Sequence, residues 1–382
     1  MGQQKVALNS DYFFCGTLRH LPLLGIVLGR DVQGEAAVLP GAALYWSNDG
    51  SFPVIVAEPG AVAEGLVVRT LSEVDVARLD FFEGGFGFQA RPRQVRLSDG
   101  QMLQAMVFGP TADESEPGKA TPWLLADWQA RYAAEFEATA RDYLAQFGVR
   151  PPRAVAARFA QMMVRGASRV RATETAPTQL RHHAQATDVD LAALREPYAR
   201  FFAMEEFDLS FRRFDGSMSP KVTRAVFVAC DAVTVLPYDP ARDRVLVIDQ
   251  FRTGPYARGD RQPWQIEVIA GRIDAGETPE AAALREAEEE AGLHLDTLLP
   301  VARYYPSPGC SSEFIYSFVA LTDLPDDAAG VFGIAGEAED IRGHLLSFDE
   351  LMALVVSGEI SNAPTLLTTY WLAQHRKDLR GT

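Results

Sequence analysis

The chain has 382 residues, of which 47% are hydrophobic and 23% charged, and it carries a net charge of −15 at neutral pH. Such a composition is typical of a folded chain longer than one ordinary domain, so we expect two or three domains. The acidic balance argues against a nucleic-acid partner, because phosphate binding needs clustered lysine and arginine. We see no signal sequence and no long apolar run, so we expect a cytoplasmic protein with no membrane partner.

The first part of the chain, from about residue 10 to residue 110, has the pattern of short strands separated by turns. Runs of branched and aromatic residues alternate with glycine, proline and aspartate, which is typical of a β domain. One helical stretch, "LSEVDVARLDFF", interrupts them. The strand-like runs are "AALYW", "FPVIVA", "AEGLVVRTL", "QARPRQVRL" and "MLQAMVF".

Two short motifs lie in this part of the chain. The first is "CGTL", which begins at Cys15, and the second is "DFFEG", whose glutamate is Glu83. Together they resemble the gamma-glutamylcyclotransferase-like (AIG2-like) family, which has a Y-G-[ST]-L loop and a D-x-x-E-G segment. The resemblance implies a small barrel-like β fold in which the amides of Gly16, Thr17 and Leu18 hold a substrate carboxylate. It also implies that Glu83 moves a proton while the substrate α-amine attacks its own γ-carbonyl.

Two departures from that family pattern bear on activity. Cys15 stands where the family usually has tyrosine, and Phe88 occupies another common tyrosine position, so two hydroxyl groups are missing. A non-catalytic binding module is therefore an open alternative to an enzyme. The alternatives differ at Glu83: a catalytic group should line a pocket beside the loop, whereas a structural one should be solvated or paired with Arg91 or Arg93.

After residue 117 the sequence becomes helical. Aromatic side chains recur at helical spacing, and a second helical run, "RAVAARFAQMMVRGASRVRA", follows "RPP". We expect this aromatic stripe to be core rather than binding surface. Its members are Trp123, Trp128, Tyr132, Phe136, Tyr143 and Phe147. We assign a cyclotransferase-like domain to residues 1–117, a helical connector to 118–195 and a further domain to 196–382.

Strands return after Tyr198 and lead into one amphipathic helix. The runs "RAVFVACDAVTVLPYD" and "RVLVIDQFR" are joined by "YDPARDR", which predicts a hairpin. A helix is predicted over Pro279–Ala291, because Thr278 can cap its start and Gly292 follows its last periodic residue.

One edge of this helix collects like charges. Glu286, Glu289 and Glu290 stand at i, i+3 and i+4, a spacing that is destabilising unless a cation lies between them. A solvated acidic face is the alternative reading. The surrounding residues, however, fit G-x5-E-x7-R-E-U-x-E-E-x-G-U, with alanine at one apolar slot, and so resemble a Nudix hydrolase. The fixed positions are Gly271, Glu277, Arg285, Glu286, Glu289, Glu290, Gly292 and Leu293.

The Nudix resemblance implies an α/β/α sandwich and a Mg²⁺ site, with Mn²⁺ as the alternative ion. In the family these ions neutralise a substrate diphosphate and lower the pKa of the attacking water, and oxygen ligands suit magnesium. The implied metal ligands are Ala270 through its carbonyl, Glu286, Glu290 and Glu339. The implied catalytic residues are Glu337, as the base, and Glu289, which supports the metal site.

Flanking segments are similar to the bacterial ADP-ribose pyrophosphatases associated with tellurite resistance, over roughly the final half of the chain. This similarity implies hydrolysis of ADP-ribose, or a related nucleoside diphosphate sugar, to AMP and ribose 5-phosphate. Ala225 and Ala229 stand where the family often has an acidic residue and an arginine, which leaves specificity for adenine and ribose open. The implied substrate-binding residues are Arg224, Arg252, Arg272, Ser307, Pro308, Gly309, Glu313 and Phe202.

The same similarity implies a homodimer formed through the segment from about Phe201 to Phe214. In the family this segment crosses to the partner subunit and stacks on adenine, a role that would fall to Phe202. Without the resemblance, the pair Phe201 and Phe202 reads as core aromatics.

Overall fold

A computed structural model describes residues 10–48, 50–110, 121–333 and 339–381. Contacts divide the chain into two compact units, Met1–Ala176 and Pro177–Thr382, and each has a hydrophobic core. The predicted α+β multidomain class is confirmed. The helices after residue 121 group with the first unit, and the three-segment division stays a prediction. Within the described ranges, no helix has the length and apolar character needed to cross a bilayer.

The first unit is built on a closed five-stranded barrel in the order β1-β3-β2-β4-β5. Its strands are β1 (Tyr12–Phe14), β2 (Glu35–Trp46), β3 (Pro53–Val68), β4 (Phe88–Leu97) and β5 (Met102–Pro110). The barrel closes where β1 pairs in parallel with β5, with Tyr12 opposite Met106. Side chains from all five strands fill its interior, including Phe13, Leu39 and Val95.

Strand β3 is continuous where the sequence predicts two strands separated by a turn. The runs "FPVIVA" and "AEGLVVRTL" both belong to it, and it stays paired with β2 on both sides of Pro59. The predicted turn residues form a bulge within β3 instead, because residues 58–61 of β3 lie opposite the single β2 residue Gly41, between the pairs Pro40–Val62 and Ala42–Ala57. Gly60 in this bulge has a φ of +88°. Glycine adopts this left-handed conformation without steric cost, so the long ribbon curves while pairing continues.

The described residues of the first unit also form α-helices: α1 (Leu21–Leu28), α2 (Glu73–Gly84), α3 (Leu125–Leu144), α4 (Pro152–Ala156) and α5 (Phe159–Arg171). Burial of the aromatic stripe is confirmed on α3, since Trp128, Phe136 and Tyr143 are each less than 5% exposed. Helix α3 packs against α1 and α5. The run after "RPP" forms two helices, α4 and α5, rather than the single helix predicted.

The second unit contains a three-stranded sheet and an eight-stranded mixed sheet. The smaller sheet has the order β6-β7-β8, with β6 (Val189–Ala199), β7 (Ala203–Phe211) and β8 (Val222–Val228). The larger sheet comprises β9 (Ala232–Asp239), β10 (Arg244–Phe251), β11 (Trp264–Glu267), β12 (Ile269–Arg272), β13 (Thr297–Tyr304), β14 (Ile315–Leu321), β15 (Val331–Phe332) and β16 (Ile341–Ser347). The helices are α6 (Thr253–Arg258), α7 (Pro279–Ala291), α8 (Phe348–Ser357) and α9 (Ala363–Leu379).

Helices cover both faces of the larger sheet. Along β9, Val233 and Val235 join the core that contains the alanines of α7, whereas Leu236 and Tyr238 join the core under α8 and α9. Because side chains alternate between the faces of a strand, these helices lie on opposite sides. The predicted α/β/α sandwich is therefore confirmed, and so is the β9–β10 hairpin.

The run "RAVFVACDAVTVLPYD" forms two strands rather than the single strand that the sequence indicates. Strand β8 ends at Val228 in the small sheet, and β9 begins at Ala232 in the large one. Between them, the Ser312 hydroxyl accepts a hydrogen bond from the Ala229 amide (3.1 Å) and donates one to its carbonyl oxygen (2.9 Å). These bonds satisfy the backbone where the chain leaves one sheet for the other.

Candidate functional site

Helix α7 has the predicted bounds, Pro279–Ala291. The Thr278 hydroxyl accepts a hydrogen bond from the Ala281 amide (3.1 Å), and Gly292 ends the helix with a φ of +62°. These contacts satisfy backbone groups that a helix cannot satisfy itself. One face of α7 packs into the core through Ala282, Ala283, Ala287 and Ala291. The acidic edge is thereby fixed against the neighbouring loop.

Arg285 ties the acidic residues of this edge together. Its Nε and Nη2 donate to the two carboxylate oxygens of Glu277 (both 3.0 Å). Its Nη1 donates to Glu286 Oε1 (2.7 Å) and Glu289 Oε2 (2.9 Å), and Nη2 also donates to the Arg272 carbonyl oxygen (2.9 Å). A bidentate guanidinium contact of this kind fixes orientation as well as charge. Arg285 thus holds both the loop and the helix carboxylates.

Two carboxylates of α7 lie close to strand β12. Glu290 is only 3% exposed, and its Oε2 accepts a hydrogen bond from the Ala270 amide (3.0 Å). At Gly271, a side-chain Cβ would stand 1.9 Å from the Glu286 carboxylate, so only glycine leaves room for it. Burial raises the pKa of Glu286 to about 7 and of Glu290 to about 8, and the nearby Glu339 adds repulsion at both.

Arg252 lies between this cluster and a further glutamate. Its Nε donates to Glu267 Oε2 (2.6 Å), and its charge opposes the rise in pKa that burial causes at both Glu290 and Glu313. The structure therefore brings two predicted substrate-binding residues, Arg252 and Glu313, next to the acidic cluster. Glu267, which the sequence analysis did not single out, holds Arg252 in place.

The loop that precedes Glu313 is exposed at Ser307, Pro308 and Gly309. The Ser307 carbonyl oxygen accepts hydrogen bonds from the amides of Cys310 (3.1 Å) and Ser311 (3.0 Å), which closes a compact turn. Nothing lies within 4 Å of a Cβ placed at Gly309, so this turn faces open space. A ligand could approach its backbone there.

The other predicted substrate residues lie at the small sheet and at β12. Arg224 is exposed on β8 and, within the described ranges, makes no hydrogen bond or ion pair with the α7 carboxylates. Arg272 stacks its guanidinium 4.1 Å from the centre of the Phe201 ring, and its Nη1 is buried without a hydrogen-bond partner among the described residues. Phe202 packs edge-on against Phe201 and lies 4.8 Å from Phe227.

The acidic cluster has the donor chemistry for a divalent cation. Carboxylates such as Glu286 and Glu290, held in low-dielectric surroundings beside each other, are disfavoured as bare charges, and a cation removes that penalty. In the described part of the chain, no three acidic, histidine or cysteine side chains already have the arrangement of a metal site. The predicted base, Glu337, lies outside the described residues.

The first unit contains a cavity of about 370 Å³ beside the "CGTL" loop. Gly16, Thr17 and Leu18 line it, at the start of a short 3-10 helix whose first amides have no partner within the helix. Cys15 and Phe88, the two departures from the family pattern, line it as well. Burial raises the pKa of the Cys15 thiol to about 12, which keeps it protonated.

Glu83 projects from the end of α2 into the same cavity. Burial raises its pKa to about 7, and its charge contributes to the raised pKa of Tyr143 nearby. Among the described residues, no hydrogen bond or ion pair joins Glu83 to Arg91 or Arg93, both of which are exposed on β4. The geometry is therefore the one expected of a catalytic group, and the catalytic role itself stays a prediction.

Comparison with known proteins gives matches to both units. The family described as NUDIX domain matches residues 229–366. An ADP-ribose pyrophosphatase of Escherichia coli (strain K12) is 38% identical over 193 residues, which is 50% of this chain and 91% of that protein. The chain belongs to the Nudix family. This Nudix hydrolase also carries a second match, to gamma-glutamyl cyclotransferase, AIG2-like, over residues 12–130.

Two further relatives align with the Nudix half. An ADP-ribose pyrophosphatase of Haemophilus influenzae is 32% identical over 51% of this chain and 90% of that protein. A GDP-mannose pyrophosphatase of Yersinia pestis is 26% identical over 46% of this chain and 86% of that protein. The Nudix hydrolase thus resembles proteins named for different nucleotide sugars, so these similarities do not determine which sugar it accepts.

Sequence reasoning predicted residues that the structure brings together at both candidate sites, but it missed parts of their surroundings. In the Nudix unit it left out Glu267, because a glutamate that pairs with an arginine 15 residues earlier carries no local signal. In the first unit it assigned α3 and α5 to a connector, although Phe136 and Phe159 from these helices line the cavity. Their helical spacing predicted burial and could not indicate what they would face.

Proposed function

We propose that the chain hydrolyses ADP-ribose to AMP and ribose 5-phosphate with Mg²⁺ as cofactor, Mn²⁺ being the alternative ion. The observation that carries the proposal is the gathering of Glu286, Glu289, Glu290 and Glu339 at the α7 edge. A nucleoside diphosphate sugar is the substrate class of the relatives, as their names state, and ADP-ribose is named for the more similar ones.

Glu286 and Glu290 are the principal metal ligands in this proposal, with the Ala270 carbonyl and Glu339 as further ligands. Mg²⁺ at such a site neutralises diphosphate charge and lowers the pKa of a bound water. Glu289 shares Arg285 with Glu286, so it keeps the helix carboxylates oriented. Glu337, two residues before Glu339 in the sequence, is the base that removes a proton from the attacking water.

Arg252 supplies positive charge to the substrate phosphates, supported by its position next to the acidic cluster. The exposed turn at Ser307, Pro308 and Gly309 gives the diphosphate or the terminal ribose a backbone surface, with Glu313 at its end. Arg224 and Arg272 lie at and beside the small sheet, on the nucleoside side of the site. Phe202 offers an aromatic face to adenine, contributed to the neighbouring subunit of a homodimer.

The test is AMP release by the full chain from ADP-ribose, NADH, flavin adenine dinucleotide and GDP-mannose, with Mg²⁺, with Mn²⁺ and with chelator alone. We expect ADP-ribose to have the highest kcat/KM and the chelator to abolish turnover. Cleavage of another diphosphate with ADP-ribose left intact would remove the substrate assignment. No turnover of any diphosphate would contradict the assignment of these carboxylates to catalysis.

A second candidate function concerns the first unit, which we propose is a γ-glutamylamine cyclotransferase. It is favoured by one observation: Glu83 lines a cavity together with Gly16, Thr17 and Leu18 and has no partner among the described residues. The α-amine nitrogen forms a bond to the γ-carbonyl carbon, and the γ-amide bond breaks. Glu83 takes a proton from the attacking amine and returns it to the leaving nitrogen, releasing 5-oxoproline and the free amine.

Release of 5-oxoproline from γ-glutamylamines by the full chain tests this activity. We expect turnover that Glu83→Gln abolishes. Turnover that survives in the variant would show that another group moves the proton. If no γ-glutamyl compound reacts, the alternative of a non-catalytic binding module takes precedence.

A further inference from the structure

The wall of the cavity in the first unit is mostly apolar, and many of its side chains are aromatic. In the described part of the chain, Glu83 is the single carboxylate that lines it, and no lysine, arginine or histidine does. The rest of the wall includes Trp46, Phe52, Phe86 and Phe88. Its volume of about 370 Å³ falls in the range of small-molecule sites, on the order of 300–1,000 Å³.

Part of this wall is held in shape by ring packing. Phe86 meets Phe159 edge-on with ring centres 4.9 Å apart, and Phe159 lies 5.7 Å from Phe136. Phe86 also stacks on Tyr143, which is fully buried and meets Phe159 edge-on. These rings come from α3, from α5 and from the segment after α2, so elements distant in sequence fix the apolar surface before any ligand arrives.

The polar part of a γ-glutamyl ligand has its partners at Gly16–Leu18 and Glu83, and the rest of the wall is mostly apolar. The group attached to the leaving amine must then lie against the apolar wall. A substituent with its own ammonium or carboxylate would lose water there without gaining an ion pair, which is unfavourable. An apolar ring would instead remove hydrocarbon surface from water, which is favourable.

We infer that this cavity accepts γ-glutamyl derivatives whose amine carries an uncharged apolar group of about the size of a phenyl ring. The inference rests on the proposed cyclotransferase function and adds its substrate class. Phe88 and Cys15 contribute, because hydroxyl groups at those positions would make the wall more polar.

The experiment compares γ-glutamylbenzylamide with ε-(γ-glutamyl)lysine, whose amine carries two charged groups. With the full chain, we expect kcat/KM for 5-oxoproline release to be at least ~10-fold higher for the benzylamide, the scale of discrimination that an apolar pocket provides. Calorimetric titration of Glu83→Gln with both compounds measures binding without turnover, and we expect the same preference.

These two readouts separate the inference from the function on which it rests. Preferred binding of the benzylamide with no 5-oxoproline from either compound would support the apolar specificity and overturn the cyclotransferase function. Turnover with equal or better kcat/KM for the lysine compound would support the cyclotransferase function and overturn the apolar specificity. If neither compound binds or reacts, both are overturned.

A carboxylate placed in the wall should weaken the preference. Phe52 and Phe88 line the cavity without a close aromatic partner among the described residues, so Phe52→Glu and Phe88→Glu provide two independent variants. We expect each to lower the ratio of kcat/KM values at least ~10-fold. Val62→Glu, at a position that is 48% exposed on the outside of β3, adds the same charge and should leave the ratio unchanged. Unfolding temperatures identify a variant that fails to fold, and an unchanged ratio in both folded variants would contradict the inference.

Discussion

Replacing Glu83 by glutamine should remove catalysis in the first unit and stabilise it at the same time. The side chain is half-buried in a cavity and, among the described residues, has no hydrogen-bond partner. A charged group in such a place is unfavourable, and a neutral amide of the same shape avoids that penalty. When a residue is retained for catalysis although it destabilises the fold, replacing it lowers activity and raises stability.

The magnitude follows from the pKa of Glu83. Its ordinary value is 4.5, and burial raises it to about 7 in the folded chain. The folded state therefore binds the proton more tightly, so this stabilising contribution is complete below about pH 4.5 and is lost as the pH rises through about 7. At about 1.4 kcal/mol for each pKa unit, the largest penalty at pH 8 is about 3 kcal/mol. Solvent in the open cavity screens this, so we expect about 1–2 kcal/mol.

The assay is thermal unfolding of the full chain and of Glu83→Gln at pH 8 and pH 5. For a unit of 176 residues, a gain of 1 kcal/mol raises the unfolding temperature by about 2–4 °C. We expect such a rise at pH 8, a smaller one at pH 5 and unchanged AMP release by the Nudix unit. Glu73→Gln, at an exposed position in the first turn of the same helix, is the control and should not stabilise at pH 8. Destabilisation by Glu83→Gln at pH 8 would refute the reasoning, since it would mean that the charged carboxylate has a favourable partner.

Three further predictions concern the Nudix unit. Glu290→Gln should abolish AMP release while the circular dichroism spectrum stays native, because the residue lies on the acidic edge of α7. An unchanged rate would contradict its assignment as a metal ligand. Gly271→Ala should reduce kcat about 100-fold or more, because the new methyl group displaces the Glu286 carboxylate, and native kinetics would contradict the close approach. Light scattering at micromolar concentration should give a dimer, since the segment from Phe201 to Phe214 exposes Phe202, Phe211 and Phe214. A monomer would count against that interface.

Elements with local signals were predictable from the sequence. The bounds of α7 follow from Thr278 and Gly292, and the β9–β10 hairpin follows from its turn residues. Elements fixed by distant partners were not. The break between β8 and β9 depends on Ser312, 83 residues away from the backbone groups that it satisfies. The continuity of β3 across its own bulge likewise depends on its pairing with β2 on both sides of that bulge.

The same division applies to the sites. Motif spacing identified the residues that carry charge, because the Nudix sequence motif requires these glutamates on one edge of the helix. It could not give their environment, which sets their pKa values. Burial of Glu290 depends on packing of α7 against β12, and burial of Glu83 depends on helices that follow it in the chain by more than forty residues.

The two sites hold their carboxylates in opposite ways, and this difference fixes the sign of each mutation's effect on stability. In the Nudix unit, Arg285 spreads one positive charge over Glu277, Glu286 and Glu289, so the acidic edge is partly neutralised by the protein itself. Removing Arg285 would leave several partly buried carboxylates without their partner, which is strongly destabilising. Glu83 has no such partner among the described residues, so removing its charge should stabilise. The Nudix site thus depends on a network of ion pairs centred on Arg285, whereas the cavity of the first unit depends on one charge that the fold tolerates.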